Sequence, residues 1–337
     1  MYRFKKIVIT ALCAALVCVS CGCNAAKNTK TIIRIAHAQS VTHPDHLGLV
    51  AFKEYIETHL GDKYEVQIFP NEILGTSQKA VELVQTGALD FAVASTANLE
   101  TFDDIYQIFS IPYLFDSEKA FYATMSDTSL MNGIYESTKE SGFQVITWFT
   151  AGIRNFYGTS PILTPEDLKG KKIRVQQSPT NVRMMELFGA AATPMSFGEV
   201  YTAIQQGVIN GAENNELALT NNKHGEVAKH YTYNMHQMVP DMLIANVRFL
   251  DGLSKKEKQI FYDAASICTE TEVNAWDLQV EEAKTAAKQM GVTFYDTDIT
   301  PFRKKVLPLH EEILTSNPKL RPIYERIQEI SENVGGI

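Results

Sequence analysis

Residues 152–215 read GIRNFYGTSPILTPEDLKGKKIRVQQSPTNVRMMELFGAAATPMSFGEVYTAIQQGVINGAENN, and the order of elements in this stretch decides the fold. It reads as strand, helix, strand, helix, helix, strand. Pro165, Glu166 and Asp167 suit the first turn of a short helix after Thr164, because proline needs no donor there and acids face the positive helix end. Gly170 stops that helix. Lys172 to Val175 then alternates as a short strand, which sets Arg174 near its carboxyl end, the edge where open α/β sheets bind ligands. Ser196 is positioned to cap a helix that carries Glu199 and closes at Gly207, after which Val208, Ile209 and Asn210 begin the next strand.

Arg154, Arg174, Asn214 and Asn215 therefore fall at or just past strand ends. That set suits a carboxylate. A guanidinium matches it with two parallel N–H groups, and asparagine supplies donors and an acceptor for neighbouring hydroxyls. The plainer alternative is a pair of surface arginines that meet local acids.

The segment resembles the substrate-binding subunits of tripartite ATP-independent periplasmic (TRAP) transporters, the DctP-like family. The likeness rests on G-I-R-N at 152–155, L-K-G-K-K-I-R-V at 168–175, P-M-S-F-G-E-V-Y at 194–201 and G-A-E-N-N at 211–215, and it extends over nearly all of the chain after the leader. It implies that Arg174 holds a substrate carboxylate, with Arg154 and Asn214 beside it. Asn215, Gln177 and Phe197 follow by position, Phe197 as an apolar face for a sugar ring and Gln177 as a further hydrogen bond. The G-A-E-N-N form, with R-N-F-Y upstream, is most similar to the hexuronate-type branch, which takes sugar acids such as glucuronate or galacturonate. Glu216 stands where many relatives of that branch have Trp, so the epimer stays open, as does a C4-dicarboxylate.

The chain has 337 residues, 45% hydrophobic and 21% charged, enough for two lobes with their own cores. Residues 1–23 form a leader: Arg3, Lys5 and Lys6 precede an apolar run, Ile7 to Val19, that is too short to span a membrane. Ser20 before Cys21 resembles a lipoprotein cleavage site, with Cys21 as the lipidated first residue; ordinary signal cleavage is the alternative. Four of the five cysteines lie in this leader, so Cys268 in the body has no disulfide partner and reads as a small buried residue rather than a nucleophile. The formal charge is −8, and subtracting the three leader charges leaves −11. Such a surface argues against nucleic acid and anionic membrane as partners and repels anions at long range, so an acid-binding site must concentrate positive charge locally.

Before the deciding stretch, Ile32 to Ala36, a helix from about His46 to Leu60, and Tyr64 to Phe69 open an α/β lobe with a largely parallel sheet. Thr76 and Ser77 cap a helix that ends at Gly87, and Ala88 to Ala94 follows as a buried strand. The segment E-L-V-Q-T-G-A-L-D-F at 82–91 parallels T-A-I-Q-Q-G-V-I-N-G at 202–211, a helix, glycine and strand unit on each side of the midpoint, or a chance likeness of two amphipathic helices. Ser95 and Asn98 come just past the strand end, and the family resemblance turns their loop toward the ligand. Ile108 to Phe115 reads as core. Beyond the stretch, Leu217 to Val227 is helical, Tyr231 to His236 and Met242 to Phe249 are strands, and Ser254 with Glu257 forms a capping box for a helix running to about Met290. At about 50 Å such a helix exceeds one lobe and bridges both.

The expected architecture is α/β, a two-lobe periplasmic-binding-protein-like fold with a long helix spanning both lobes. Lobe I takes 32–151 and 241–279, lobe II 152–240 and 280–318, and 319–337 is a C-terminal helical tail. Catalysis is not expected: there is no G-x-S-x-G, H-E-x-x-H, paired CxxC or phosphate-loop motif, which leaves a hydrolase or lyase acting on a sugar acid as the lesser alternative. His37, His43 and His46 lack a completing carboxylate or cysteine pattern, and Pro44 turns the chain between them, so no metal or cofactor is expected. His43 reads as a loop residue at the ligand entrance, and His37 as either a cleft residue or a satisfied core histidine. The expected partners are a small organic acid and the membrane permease subunits of a TRAP transporter, met by a monomer on the periplasmic or extracellular face.

Overall fold

The structure is a computed structural model that describes residues 30–335. The leader and Cys21 lie outside the described residues. Among the described residues eleven strands form two sheets: β1 (Thr31–Ala36), β2 (Tyr64–Phe69), β3 (Phe91–Ser95), β4 (Phe143–Phe149), β5 (Arg154–Gly158), β6 (Lys172–Val175), β7 (Ala191–Pro194), β8 (Gly211–Asn214), β9 (His230–Gln237), β10 (Asp241–Asn246) and β11 (Thr293–Asp296). The first sheet has the order β2-β1-β3-β10-β4, and the second β11-β9-β5-β8-β6-β7. This is the two-lobe α/β fold.

Neither sheet is wholly parallel, because the chain passes between them three times, twice directly and once through the long helix that precedes β11. β4 passes directly into β5 through Thr150–Ile153, and β9 into β10 through Met238–Pro240. The second crossing inserts β10 antiparallel between β3 and β4, and β5 runs antiparallel to both β8 and β9. That reversal serves the site. Since β5 runs against β8, its first residue, Arg154, stands at the same edge as Asn214, the last residue of β8, and that edge faces the first sheet.

The repeated helix, glycine and strand unit is real in space. Ser77–Thr86 ends at Gly87 (φ 79°) and leads to β3; Val200–Gln205 is followed by Gly207 (φ 69°) and leads to β8. Both glycines adopt the left-handed conformation that other residues resist.

The long helix, Lys255–Gln289, opens with the Ser254–Glu257 capping box and packs on both sheets' cores. Phe261, Ala264 and Cys268 join the core of the first sheet with Ile33, Phe52 and Phe91, while Ala287 joins Tyr157 and Tyr231 under the second. Between those ends Trp276 covers the first crossover. There Gly152 has φ 61°, and a Cβ at Gly152 would lie 2.7 Å from Trp276 Cζ2. Among the described residues no helix is long and apolar enough to cross a membrane.

Several boundaries differ from expectation. The first helix starts at Pro44, with His43 as its cap, because proline at the first helical position loses no bond. β8 starts at Gly211 rather than Val208, and Met242–Phe249 divides into β10 and a short helix, Val247–Gly252.

Candidate functional site

The facing edges of the two sheets enclose a crevice with an empty volume of about 660 Å³, its open mouth included. Nine of the expected residues line it: Arg174, Arg154, Asn214, Asn215, Gln177, Ser95, Asn98, Phe197 and His43. His37 does not. It lies at the end of β1 with Nε2 2.9 Å from His46 Nδ1, and burial first brings its ring down to about 3, so it is a neutral buried histidine behind the site.

The two arginines differ in what surrounds them. Arg154 is 3% exposed and its Nε and Nη2 grip the carboxylate of Glu213, at 2.5 and 3.0 Å, while Nη2 also donates to the Glu213 carbonyl and Nη1 to Asn214 Oδ1. Burial would push the Glu213 carboxyl up, but Arg154 and then His236 hold it down at about 2. Arg154 is therefore a neutralised pair that retains one uncommitted N–H of its five.

Arg174 is 4% exposed and its Nε and Nη2 both donate to the Met195 carbonyl, at 3.2 and 3.0 Å. No carboxylate pairs with it among the described residues, and three of its N–H groups remain uncommitted. Its guanidinium carbon stands 5.5 Å from the centre of the Phe197 ring, which fixes the plane of the fork. Burial lowers its proton affinity and Glu213 raises it, yet a guanidinium stays charged in either case. Behind it the His224 ring, bonded to the Tyr157 hydroxyl at 2.8 Å, is held down to about 3 by burial and then by Arg174, so it adds no second positive charge.

The remaining lining divides into groups already occupied and groups that are free. Asn215 is occupied: its amide donates to the Ala151 carbonyl at 2.8 Å and its Oδ1 accepts from Leu217 N–H at 3.0 Å, so it ties the end of β8 to the crossover. Asn214 Oδ1 accepts from Arg154, which leaves its amide nitrogen for another partner. His43 accepts the Asp45 backbone N–H and meets Trp276 edge-on at 5.7 Å. Ser95 Oγ has no partner. Sequence reasoning missed Glu213, Glu72, Asp45 and Asp241. The first had a signal, since an acid inside the short strand G-A-E-N demands a buried cation; the others depend on which loops meet across the crevice.

Glu72 closes the mouth. Its Oε2 accepts the Gly198 N–H at 3.0 Å from the other sheet's side; outside the crevice lining, Glu100 accepts the hydroxyls of Ser178 and Thr180, both at 2.9 Å.

Two lobes that meet over a crevice holding one unpaired, buried guanidinium define a protein that captures an anionic solute. Residues 35–317 match the DctP family, bacterial extracellular solute-binding protein family 7, and the chain belongs to that family. It is similar to a TRAP periplasmic solute-binding protein of Anaerococcus prevotii solved with bound α/β-D-glucuronate, at 52% identity and a TM-score of 0.89, covering 90% of this chain and 99% of that one. A Xanthobacter autotrophicus relative solved with β-D-galacturonate is 33% identical with a TM-score of 0.85, over 88% of this chain and 99% of that one. The uncharacterized protein YiiZ of Salmonella typhimurium is 40% identical over 301 residues, 89% of this chain and 91% of that protein.

Proposed function

We propose that this protein captures a hexuronate, glucuronate or galacturonate, outside the cytoplasm and delivers it to the membrane permease of a TRAP transporter. The observation that carries this reading is Arg174, a buried cation with three free N–H groups and no carboxylate of its own. The ligands in the two similar solved proteins support the substrate class. Arg174 takes the carboxylate as a two-pronged, charge-assisted pair, and Arg154 contributes one N–H from its neutralised pair with Glu213. The Asn214 amide, Asn98, Ser95 and Gln177 serve the hydroxyls, and Phe197 covers a ring face. The chain binds and releases without changing its ligand.

Residues 32–151 with 241–279, and 152–240 with 280–318, move as two bodies about the crossovers, open when empty and closed on ligand. Small-angle scattering that shows no compaction on adding ligand would exclude such closure. We infer that Cys21 carries the lipid that tethers the exported chain; mass spectrometry of the membrane-fraction protein that finds an unmodified N-terminus beyond Cys21 would exclude it.

Melting the protein against hexuronates, aldonates, sialic acid and C4-dicarboxylates tests the substrate. A ligand at 100 times its Kd stabilises the fold by about 2.7 kcal/mol. Glucuronate or galacturonate should give that shift, and Arg174→Ala should abolish it, at a cost in affinity of roughly 2–5 kcal/mol. A shift with a C4-dicarboxylate and none with either hexuronate would refute the assignment.

A further inference from the structure

Across the crevice from Arg174 stand two carboxylates that make no ion pair with Lys or Arg among the described residues. Asp45, in the first turn of the helix Pro44–Leu60, is fully buried, and neither of its oxygens has a hydrogen-bond partner. Its Oδ1 lies 3.2 Å from His43 Nδ1, but a ring nitrogen that accepts the Asp45 N–H has no proton to give back. Asp241, the first residue of β10, is 9% exposed and sits opposite Ser95 in the strand register, beside the Ser95 hydroxyl and the Asp45 carboxyl. Asp45, Ser95 and Asp241 all line the cavity from the side of the first sheet, whereas Arg174 enters it from the second. Buried acceptors left without donors are costly to the fold, and such a cost persists where a ligand supplies the donors.

We propose that Asp45 and Asp241 form an acceptor wall that takes the ligand's hydroxyl hydrogens and repels a second carboxylate, so that the site selects hydroxylated monocarboxylates over dicarboxylates. This deepens the hexuronate assignment above and rests on it. A sugar acid held by its carboxylate on Arg174 turns its hydroxyls toward the opposite wall, where a carboxylate accepts them in short, charge-assisted bonds. A hexarate is likewise polyhydroxylated but has a second carboxylate in place of the anomeric carbon, which brings negative charge and no donor against acidic oxygens in a dry crevice. Burial first, and then the charge on Asp45, raises the Asp241 carboxyl, so the wall holds fewer than two full charges and Asp241 can itself offer a proton to a hydroxyl. The negative charge that the pair shares sets the rejection, so removing either carboxyl lessens it.

Titration calorimetry of the purified protein with D-glucuronate and D-glucarate tests this, in the native sequence and in Asp45→Asn and Asp241→Asn. The native protein should bind glucuronate at least roughly a hundredfold tighter than glucarate. In Asp45→Asn, glucuronate should weaken roughly tenfold while glucarate tightens, and Asp241→Asn should narrow the ratio in the same direction. Asparagine keeps the shape and removes a buried charge, so the unliganded melting temperature should hold or rise, which separates lost recognition from lost folding. A native protein that takes glucarate as tightly as glucuronate overturns the proposal, as do two folded variants whose ratio stays within about threefold of the native one. A native protein that binds neither acid overturns the hexuronate assignment itself, and the acceptor wall with it.

Discussion

Removing the Arg154 side chain would leave Glu213 fully buried with only the His236 ring, 3.4 Å from its carboxylate, as a side-chain partner. Breaking one half of a buried ion pair costs the fold about 3–5 kcal/mol, because the surviving charge has no solvent to fall back on. Arg154→Ala should therefore lower unfolding stability by that much in urea. Arg174→Ala leaves no carboxylate stranded, so it should fold with native stability or better and lose the ligand. If both variants unfold alike, the division between a structural and a binding arginine is wrong. The sequence placed both arginines at strand ends but had no means of telling them apart, since that depends on Glu213 arriving from a strand about sixty residues on. The same holds for Asn215, whose hydrogen bonds go to Ala151 and Leu217.

At the scale of elements, the crossover Thr150–Ile153 is the piece on which both sheets depend. Glu272 of the long helix accepts the Thr150 N–H at 3.0 Å, and Trp276 fills the space beside Gly152. Gly152→Ala puts a methyl group against the indole and asks alanine to hold φ 61°, which should cost about 1–3 kcal/mol of stability by denaturant unfolding. An unchanged midpoint would mean that the crossover gives way without strain. Helix caps and glycine stops were legible in the sequence because they are local: Ser254 with Glu257, Gly87 and Gly207 each act within one turn. β7 was not. Ala191–Pro194 is a short edge strand with little β-branched character, and only its pairing with β6 makes it a strand. The antiparallel insertion of β10 was hidden for a different reason, since Asp241 and its partner Ser95 lie far apart in the chain and nothing local records the pairing.

For the molecule as a whole, the Glu72 bridge to Gly198 joins the two sheets across the mouth of the crevice, and Asn71 and Glu72 hold φ values of 56° and 55° to present it. Two adjacent left-handed residues without a glycine store strain that the bridge offsets. A Cβ on Gly198 would come within 2.7 Å of Glu72 Oε2, so Gly198→Ala should weaken the bridge and speed ligand release. Stopped-flow release no faster than native would show that the bridge does not hold the closed form. The buried carboxylates set a second property, the pH at which the fold is most stable. Glu213, held down at about 2, binds its proton less tightly folded than unfolded; its contribution is present above the ordinary carboxylate value of about 4.3 and is lost as pH falls toward 2. Asp241, Glu272 and Glu100 act in the opposite sense. Burial is the first cause in each, reinforced by Asp45 for the first two, and it raises their carboxyls, so the folded protein holds those protons more tightly than the unfolded chain does. Their contribution is complete below about 4 and is lost as pH rises through the raised folded values. His37 and His224, held down to about 3 chiefly by burial, act with Glu213: below about 6.5 the unfolded chain takes up protons that the folded protein refuses, so they oppose the raised carboxyls there and leave the optimum at about pH 6. The unliganded protein should melt higher at about pH 6 than at about pH 8, and lower again below about pH 4. Glu272→Gln, which lies outside the crevice lining, removes one raised carboxyl and should flatten the upper limb. Equal melting at about pH 6 and 8 in the native protein would mean that these buried carboxyls find solvent or partners that the fold does not give them.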